Sequence, residues 1–328
     1  MTRGGLLLTV ATAGALLAQP AEEGRLGIVV PRPPLRAYEA LDDLGRASVS
    51  RSVYEAARDQ HAFEIADIRY ASRGDGGGAV PGVLIRPRTP GAQKWPAIIY
   101  NRGGTGDSGH IDDLTVVEMY LLAKEGFVVV ASDYRFHGVL SRRDDWGGLD
   151  VDDVLSLVPL LRAQPTVDSS RVFMVGVSRG GTTSYLALKR GIAVKAAAVI
   201  AGPSDLEALG KYRPELVKGD NTYDGWAQVW PDYAHRSAEH YRERSLVYWA
   251  DRVKVPVLIM HAKDDRVVPV AHALRAAAAF QQAGVRYDVE LYLNDDHSLS
   301  RHRDDRNRKI VAWFRLGSVN EHTQGVTR

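Results

Sequence analysis

A serine between two glycines is the first residue whose surroundings indicate chemistry. Gly176, Ser178 and Gly180 match the pattern G-x-S-x-G, in which the glycines let the chain turn sharply and expose the serine hydroxyl. An apolar stretch at 172–175 precedes the motif, and a helical stretch at 182–189 follows it. A serine that only caps a helix in a glycine-rich loop is the alternative. The strand-turn-helix context favours a nucleophile.

A serine hydroxyl reacts only when a base removes its proton, and the base needs a carboxylate to hold its tautomer. Where this motif serves a hydrolase, the acid and then the histidine follow the serine along the chain. Asp265 and His297 stand in that order, each directly after a predicted strand. Asp264 competes with Asp265, which is preferred because it lies four residues after His261 and four before Pro269. Asp264 is expected to serve a turn or a helix cap.

Acyl transfer also needs hydrogen-bond donors for the oxyanion of the tetrahedral intermediate. The backbone N–H of Arg179 is the first candidate, because this residue follows the nucleophile. The loop after the third predicted strand offers a second donor, namely the N–H of Arg102 or Gly103, or the hydroxyl of Tyr100. The alternative for the glycines of that loop is a simple turn. The choice among the three donors stays open.

Acidic residues and histidines cluster around His297 and suggest a second interpretation, a metal site with oxygen and nitrogen ligands. The candidate ligands are Asp295, Asp296, His297, His302, Asp304 and Asp305. The charged run at 301–309, however, is typical of the exposed start of a helix. We therefore predict no metal and no organic cofactor.

Eight β-rich stretches position these residues, and most are separated by amphipathic helical stretches. The first two have no helix between them, so we expect a hairpin through the glycine-rich turn at 74–78. The predicted strands are 63–71, 80–86, 96–100, 127–134, 171–177, 194–201, 255–261 and 287–293. The alternation predicts an α/β-hydrolase fold, with an eight-stranded, mostly parallel sheet flanked by helices.

Segments outside the predicted sheet divide the 328-residue chain further. Residues 1–21, with Arg3, an apolar run and small residues, are typical of a secretory signal peptide, so we expect a secreted or periplasmic protein. Residues 22–61 are expected to form a helical extension and 62–317 the catalytic domain. Residues 204–248 are rich in Tyr, Trp and charge and predict a helical cap insertion. Its aromatic side chains are expected to line a substrate pocket, with a core of the insertion's own as a nearly equal alternative. Residues 318–328 predict a polar tail.

Bulk composition excludes several classes of protein. The formal charge is only +2 and the basic residues are scattered, so nothing indicates a nucleic-acid partner. The absence of cysteine excludes disulfides and thiolate metal sites. No segment after the signal approaches about 20 apolar residues, so no membrane span is expected in the mature protein. A small molecule or a short peptide is the expected substrate, and the oligomeric state is left open.

Several motifs together resemble the catalytic domain of the prolyl oligopeptidase family. They are Ser132-Asp133-Tyr134-Arg135, Trp146-Gly147-Gly148 with Asp150 and Asp153, Val167-Asp168-Ser169-Ser170-Arg171, Ser178-Arg179-Gly180-Gly181, and His261 through Pro269. The resemblance implies a triad of Ser178, Asp265 and His297, with Tyr100 at the place of an oxyanion tyrosine. Arg179 replaces the tyrosine or asparagine usual after the nucleophile. The stretch before the sheet is too short for the family's β-propeller, so a stand-alone hydrolase domain is expected.

The leading hypothesis is an exported serine hydrolase that cleaves peptide, amide or ester bonds through an acyl-serine intermediate. A carboxylesterase or carbohydrate acetyl-esterase with the same machinery is the alternative. A non-catalytic binding protein on this fold is a third hypothesis, which the presence of all three triad members disfavours.

Overall fold

The computed structural model describes residues 23–319 except 75–78, 90, 92, 106–108, 136–143, 145 and 221–223. The predicted signal peptide, 1–21, and the end of the predicted tail, 320–328, therefore lie outside the described residues. In the described part of the chain, no helix has the length and apolar character needed to cross a membrane.

One mixed sheet forms the centre of the fold. Its strands are β1 Leu26–Pro31, β2 Phe63–Ala71, β3 Ala79–Pro87, β4 Trp95–Asn101, β5 Val128–Ser132, β6 Val167–Val177, β7 Ala197–Ile200, β8 Val257–Ala262 and β9 Tyr287–Tyr292. Their spatial order is β1-β2-β3-β5-β4-β6-β7-β8-β9. The pairs β1-β2, β2-β3 and β3-β5 are antiparallel, and the rest are parallel. The predicted α/β-hydrolase fold and its mostly parallel sheet are confirmed.

Helices cover both faces of the sheet. They are α1 Asp43–Ser48, α2 Arg51–Arg58, α3 Asp113–Ala123, α4 Leu149–Leu155, α5 Leu157–Arg162, α6 Arg179–Lys189, α7 Leu206–Tyr212, α8 Pro214–Lys218, α9 Trp226–Val229, α10 Tyr233–Arg244, α11 Ala271–Ala283 and α12 Arg303–Val319. Strands β5, β7 and β8 are buried along their whole length, as expected for strands covered on both sides. Two apolar cores result, one on each face.

The sheet has one strand more than predicted, because the extension begins with β1 rather than with helix. Strand β1 pairs antiparallel with β2 at the edge of the sheet. Its side chains Ile28, Val29 and Val30 are between 38% and 50% exposed, so this strand adds little to the core and gives a weak hydrophobic signal. Pro31 ends the strand, at an edge position that tolerates the missing N–H. The predicted helices of the extension follow as α1 and α2.

The insertion at 204–248 is helical, as predicted, and contains α7 to α10. Its aromatic side chains form their own small core, in which Trp226 and Trp230 stack with ring centroids 5.0 Å apart. Both indoles are almost completely buried. Packing within the insertion is therefore the main role of these two rings.

Candidate active site

Ser178 lies at the sharp turn between β6 and α6. Its backbone has φ +56° and ψ −126°, a conformation that a non-glycine residue rarely adopts. Such strain is typical of a nucleophile exposed between a strand and a helix. The serine is half-buried and lines a cavity of about 290 Å³.

The two glycines of the motif are required by close backbone packing. A Cβ on Gly180 would lie 2.0 Å from the carbonyl oxygen of Asn101, and a Cβ on Gly176 would lie 2.4 Å from that of Gly180. Real Cβ atoms do not approach backbone so closely. The glycines thus allow the turn to pack against the end of β4, which brings the loop after that strand next to Ser178.

Asp265 and His297 are in direct contact, although 32 positions separate them. The Nδ1 of His297 lies 2.7 Å from Oδ2 of Asp265. The other oxygen, Oδ1, accepts hydrogen bonds from the backbone N–H groups of Val267 and Val268, at 2.8 and 3.0 Å. Burial alone would raise the pKa of Asp265, but hydrogen bonds from His261, His297 and Val268 hold it well below its usual range. The carboxylate is therefore ionised at neutral pH and oriented toward the imidazole.

His261 is a member of this group to which sequence reasoning gave no role. Its ring is fully buried, and its Nε2 lies 2.8 Å from the carbonyl oxygen of Val268 and 3.2 Å from Oδ2 of Asp265. The imidazole thus holds the loop that carries the acid and contacts the oxygen that also meets His297. The four-residue spacing from His261 to Asp265 was the sequence signal, although it served only to choose between two aspartates.

The neighbouring Asp264 is exposed and faces away from His297. Its Oδ2 accepts a hydrogen bond from the backbone N–H of Asn294, at 2.9 Å. The structure therefore brings Asp265, and not Asp264, to the histidine.

Ser178 and His297 line the same cavity. The Nε2 of His297 has no hydrogen-bond partner within the described part of the chain. Catalytic hydrogen bonds are often long in unliganded enzymes and shorten when substrate binds. The imidazole is thus held by Asp265 on one side, with its other nitrogen available for a proton.

Three of the oxyanion candidates lie in the loop after β4 or at the end of that strand. A Cβ on Gly103 would lie 3.1 Å from the Cβ of Ser178, so the loop after β4 passes directly beside the nucleophile. Tyr100 and Arg102 line the same cavity. Burial raises the pKa of Tyr100, which keeps its hydroxyl protonated and able to donate. The guanidinium of Arg102 is paired with Asp133 at 2.7 Å, which leaves its backbone as the candidate donor.

Arg179 contributes to the site through its backbone, because its side chain points into the protein. The guanidinium is buried, contacts Asp144, lies 2.8 Å from Asp150, and stacks on the Tyr134 ring at 4.6 Å. As the first residue of α6, Arg179 directs its N–H out of the helix N-terminus. The arginine found in place of the family's tyrosine or asparagine therefore anchors the turn that carries Ser178.

None of the described residues of the insertion lines the cavity around Ser178. The described residues that line it come from the ends of β4 and β6 and the loops after them, from the loop after β9, from α3 with the residues just before it, from α12, and from the segment in which α1 ends. Ser48 and Val49 represent that segment. No sequence signal connected the extension with the site, because nothing in the local pattern shows where a helical pair will pack.

The acidic cluster after β9 is used for local hydrogen bonding. Asp295 lies 2.7 Å from Nδ1 of His302, and Asp296 accepts from the backbone N–H groups of Ser298 and Ser300. Within the described ranges, no group of three or more His, Asp or Glu side chains is arranged to hold a metal ion.

A comparison with protein-family models finds a match over residues 113–317, to the model described as the prolyl oligopeptidase family. The matched region begins with α3 and includes Ser178, Asp265 and His297. It covers well over half of the chain.

Several curated proteins with similar sequences are named as peptidases. The uncharacterized peptidase YtmA of Bacillus subtilis is 25% identical over 238 residues, which are 72% of this chain and 88% of that protein. Dipeptidyl-peptidase 5 of Porphyromonas gingivalis is 24% identical over 280 residues, which are 80% of this chain and 40% of that protein. The chain therefore spans most of the first relative but less than half of the second.

Solved structures show the same fold. The Pyrococcus horikoshii acylaminoacyl peptidase is similar with a TM-score of 0.63 and 23% identity, over 78% of this chain and 42% of that one. A Mycobacterium tuberculosis puromycin-hydrolyzing peptidase is similar with a TM-score of 0.64 and 21% identity, over 78% and 40%.

Proposed function

The chain belongs to the prolyl oligopeptidase family of serine peptidases, and on that premise we propose that it hydrolyses amide bonds of short peptides through an acyl-enzyme on Ser178. The observation that carries the proposal is the 2.7 Å contact between His297 and Asp265, with the other imidazole nitrogen available in the cavity of Ser178. Relatives named as acylaminoacyl and dipeptidyl peptidases support short peptides as the substrate class.

The first half-reaction forms the acyl-enzyme. Oγ of Ser178 attacks the scissile carbonyl carbon while Nε2 of His297 takes the hydroxyl proton. Asp265 keeps the imidazole in the tautomer that can accept this proton and stabilises the imidazolium that forms. The backbone N–H of Arg179, together with a donor from Tyr100, Arg102 or Gly103, stabilises the oxyanion. His297 then gives its proton to the leaving amine, and the C–N bond breaks.

The second half-reaction restores the enzyme. A water molecule loses a proton to His297 and attacks the acyl carbon, and the second tetrahedral intermediate collapses with return of the proton to Ser178. One water is consumed, and one acid and one amine are released. The residues described need no organic cofactor for any of these steps.

Matched ester and amide substrates that carry the same acyl group test the proposed function. We expect hydrolysis of both, with a higher kcat/KM for the ester, because the amide requires protonation of its leaving group by His297. The measurement is steady-state kinetics on the purified chain, with Ser178→Ala as the background control. Hydrolysis of esters alone, with no amide turnover above that control, would assign the protein as a carboxylesterase instead.

We also propose that the protein is exported. This proposal depends on residues 1–21, whose basic start and apolar run are typical of a signal peptide. We expect the mature protein from the native host to begin close to Gln19. Mass spectrometry of the N-terminal peptide measures this directly, and active protein that retains Met1 would contradict export by cleavage.

A further inference from the structure

The N-terminal extension forms one wall of the cavity that contains Ser178. Ser48 and Val49, which end α1 and follow it, line this cavity. Val49 is buried, and the hydroxyl of Tyr38 donates to its carbonyl oxygen at 3.1 Å. The wall is therefore held by contacts within the extension, and a substrate group in this part of the cavity faces Ser48 and Val49.

The leaving group enters this cavity on the side of His297. His297 must protonate the leaving amine, so this group lies on the imidazole side of Ser178. Ser298, Arg303 and Arg306, which follow His297 in the chain, line the same cavity, as does Ser48, and Arg306 donates to the carbonyl oxygen of Ser298 at 2.6 Å. Two guanidinium groups therefore belong to the cavity that the leaving group enters.

Arg303 is held in place and retains an unused donor. Its Nε donates to Oε1 of Glu118 at 2.7 Å, and its Nη2 donates to the carbonyl oxygen of Ser48 at 2.7 Å. The side chain is only 11% exposed and lines both this cavity and a neighbouring one of about 600 Å³. Its Nη1 makes no hydrogen bond to any residue that the structure describes. A fixed guanidinium of this kind binds a carboxylate at little cost in side-chain entropy.

The charges around Arg303 favour an anion. Glu118 is paired with both Arg303 and Arg306, so these three side chains carry one net positive charge. Asp112 also lines the cavity, but it caps α3, where Oδ1 accepts from the N–H and the hydroxyl of Thr115 at 2.8 Å. The helix N-terminus offsets its charge. Asp112 is thus engaged by the helix, while the guanidinium pair leaves one net positive charge beside the cavity.

We infer that Arg303 binds a free carboxylate on the leaving group, so that the enzyme prefers to release a C-terminal amino acid or very short C-terminal peptide. This inference rests on the proposed function and adds the substrate class. Arg303 determines specificity and takes no part in the proton transfers. The extension contributes by holding this guanidinium through the carbonyl of Ser48.

Paired substrates with the same acyl group and scissile amide, one ending in a free carboxylate and the other in a carboxamide, test the inference. For the wild-type chain we expect kcat/KM to be roughly 10- to 100-fold higher for the free acid, which is the effect of one charged hydrogen bond. In Arg303→Gln this ratio should fall toward one. Arg303→Lys keeps the charge without the planar fork and should retain part of the preference, which covers the case in which the glutamine variant does not fold.

Arg308→Gln is the matched control. Arg308 lines the neighbouring cavity, is 70% exposed and pairs with Asp305 at 2.6 Å, so its loss should leave the ratio unchanged. A wild-type ratio near one, or a preference for the carboxamide or for a cationic leaving group, would overturn the inference while leaving the proposed function intact. Absence of hydrolysis for both substrates would instead contradict the proposed function.

Discussion

Ser178→Ala should remove turnover by roughly 10⁴- to 10⁶-fold while the protein remains folded. The expected loss is large because the hydroxyl is the only group that forms the covalent intermediate, and the oxyanion donors alone support slow background hydrolysis. The substitution removes one oxygen from a half-buried side chain, so we expect little change in thermal stability. Steady-state kinetics and a thermal melt of the same preparation measure both effects.

Retention of more than about a tenth of wild-type activity by a soluble, folded variant would contradict the role of Ser178. Ser298→Ala is a useful control, because Ser298 lines the same cavity and follows His297, but is not part of the strained turn between β6 and α6. The loss of turnover in Ser298→Ala should be much smaller than the loss in Ser178→Ala.

Asp265→Asn should lower kcat by about 10⁴-fold, because the amide would favour the wrong tautomer of His297 and could not stabilise the imidazolium. The carboxylate meets His297 at 2.7 Å and is also contacted by His261 and two backbone N–H groups. The pKa of Asp265 lies well below its usual range, so the acid itself stays ionised throughout the neutral range and below it. Kinetics on the variant at neutral pH measure the effect.

Asp264→Asn is the matched control for this prediction. Its side chain is exposed and contacts only the N–H of Asn294 among the described groups, so kcat should change by no more than about two- to threefold. If the two variants lost activity in the reverse order, the triad acid would be Asp264.

Residues close together in sequence allowed the best predictions. The turn that carries Ser178 is a local motif. The apolar residues before Ser178 predicted a strand and the pattern after it predicted a helix, so the sequence located the turn between the two. The order of serine, acid and histidine placed Asp265 and His297 at the ends of neighbouring strands, and the structure has β8 and β9 side by side. Where β-rich stretches are buried on both faces, the hydrophobic signal is strong, and their predicted positions agree with the structure to within a few residues.

Contacts between segments that lie far apart in the sequence could not be predicted from it. Strand β1 escaped prediction because an exposed edge strand lacks the burial that gives a clear pattern. The approach of Ser48 to Arg303 joins positions 255 residues apart and depends on how α2 and α12 pack against α3. The buried contact of His261 with Asp265 follows from the bend of the loop after β8, which spacing alone does not specify.

The predicted role of the insertion differs from what its packing indicates. The sequence suggested that its aromatic residues line a substrate pocket, with the insertion's own core as a nearly equal alternative. Trp226 and Trp230 are buried against each other and against Tyr241, which favours the alternative. Substrate selection therefore has to be sought in the segments that do line the cavity, above all around Ser48 and Arg303.

The central claim is that Ser178 forms a covalent acyl-enzyme, and labelling with a fluorophosphonate tests it most directly. The reagent reacts with serines activated by a neighbouring base, and peptide mapping by mass spectrometry locates the adduct. We expect one adduct per chain, on the peptide that contains Ser178, and none in Ser178→Ala. Folded wild-type protein without an adduct, or with the adduct on another residue, would contradict it.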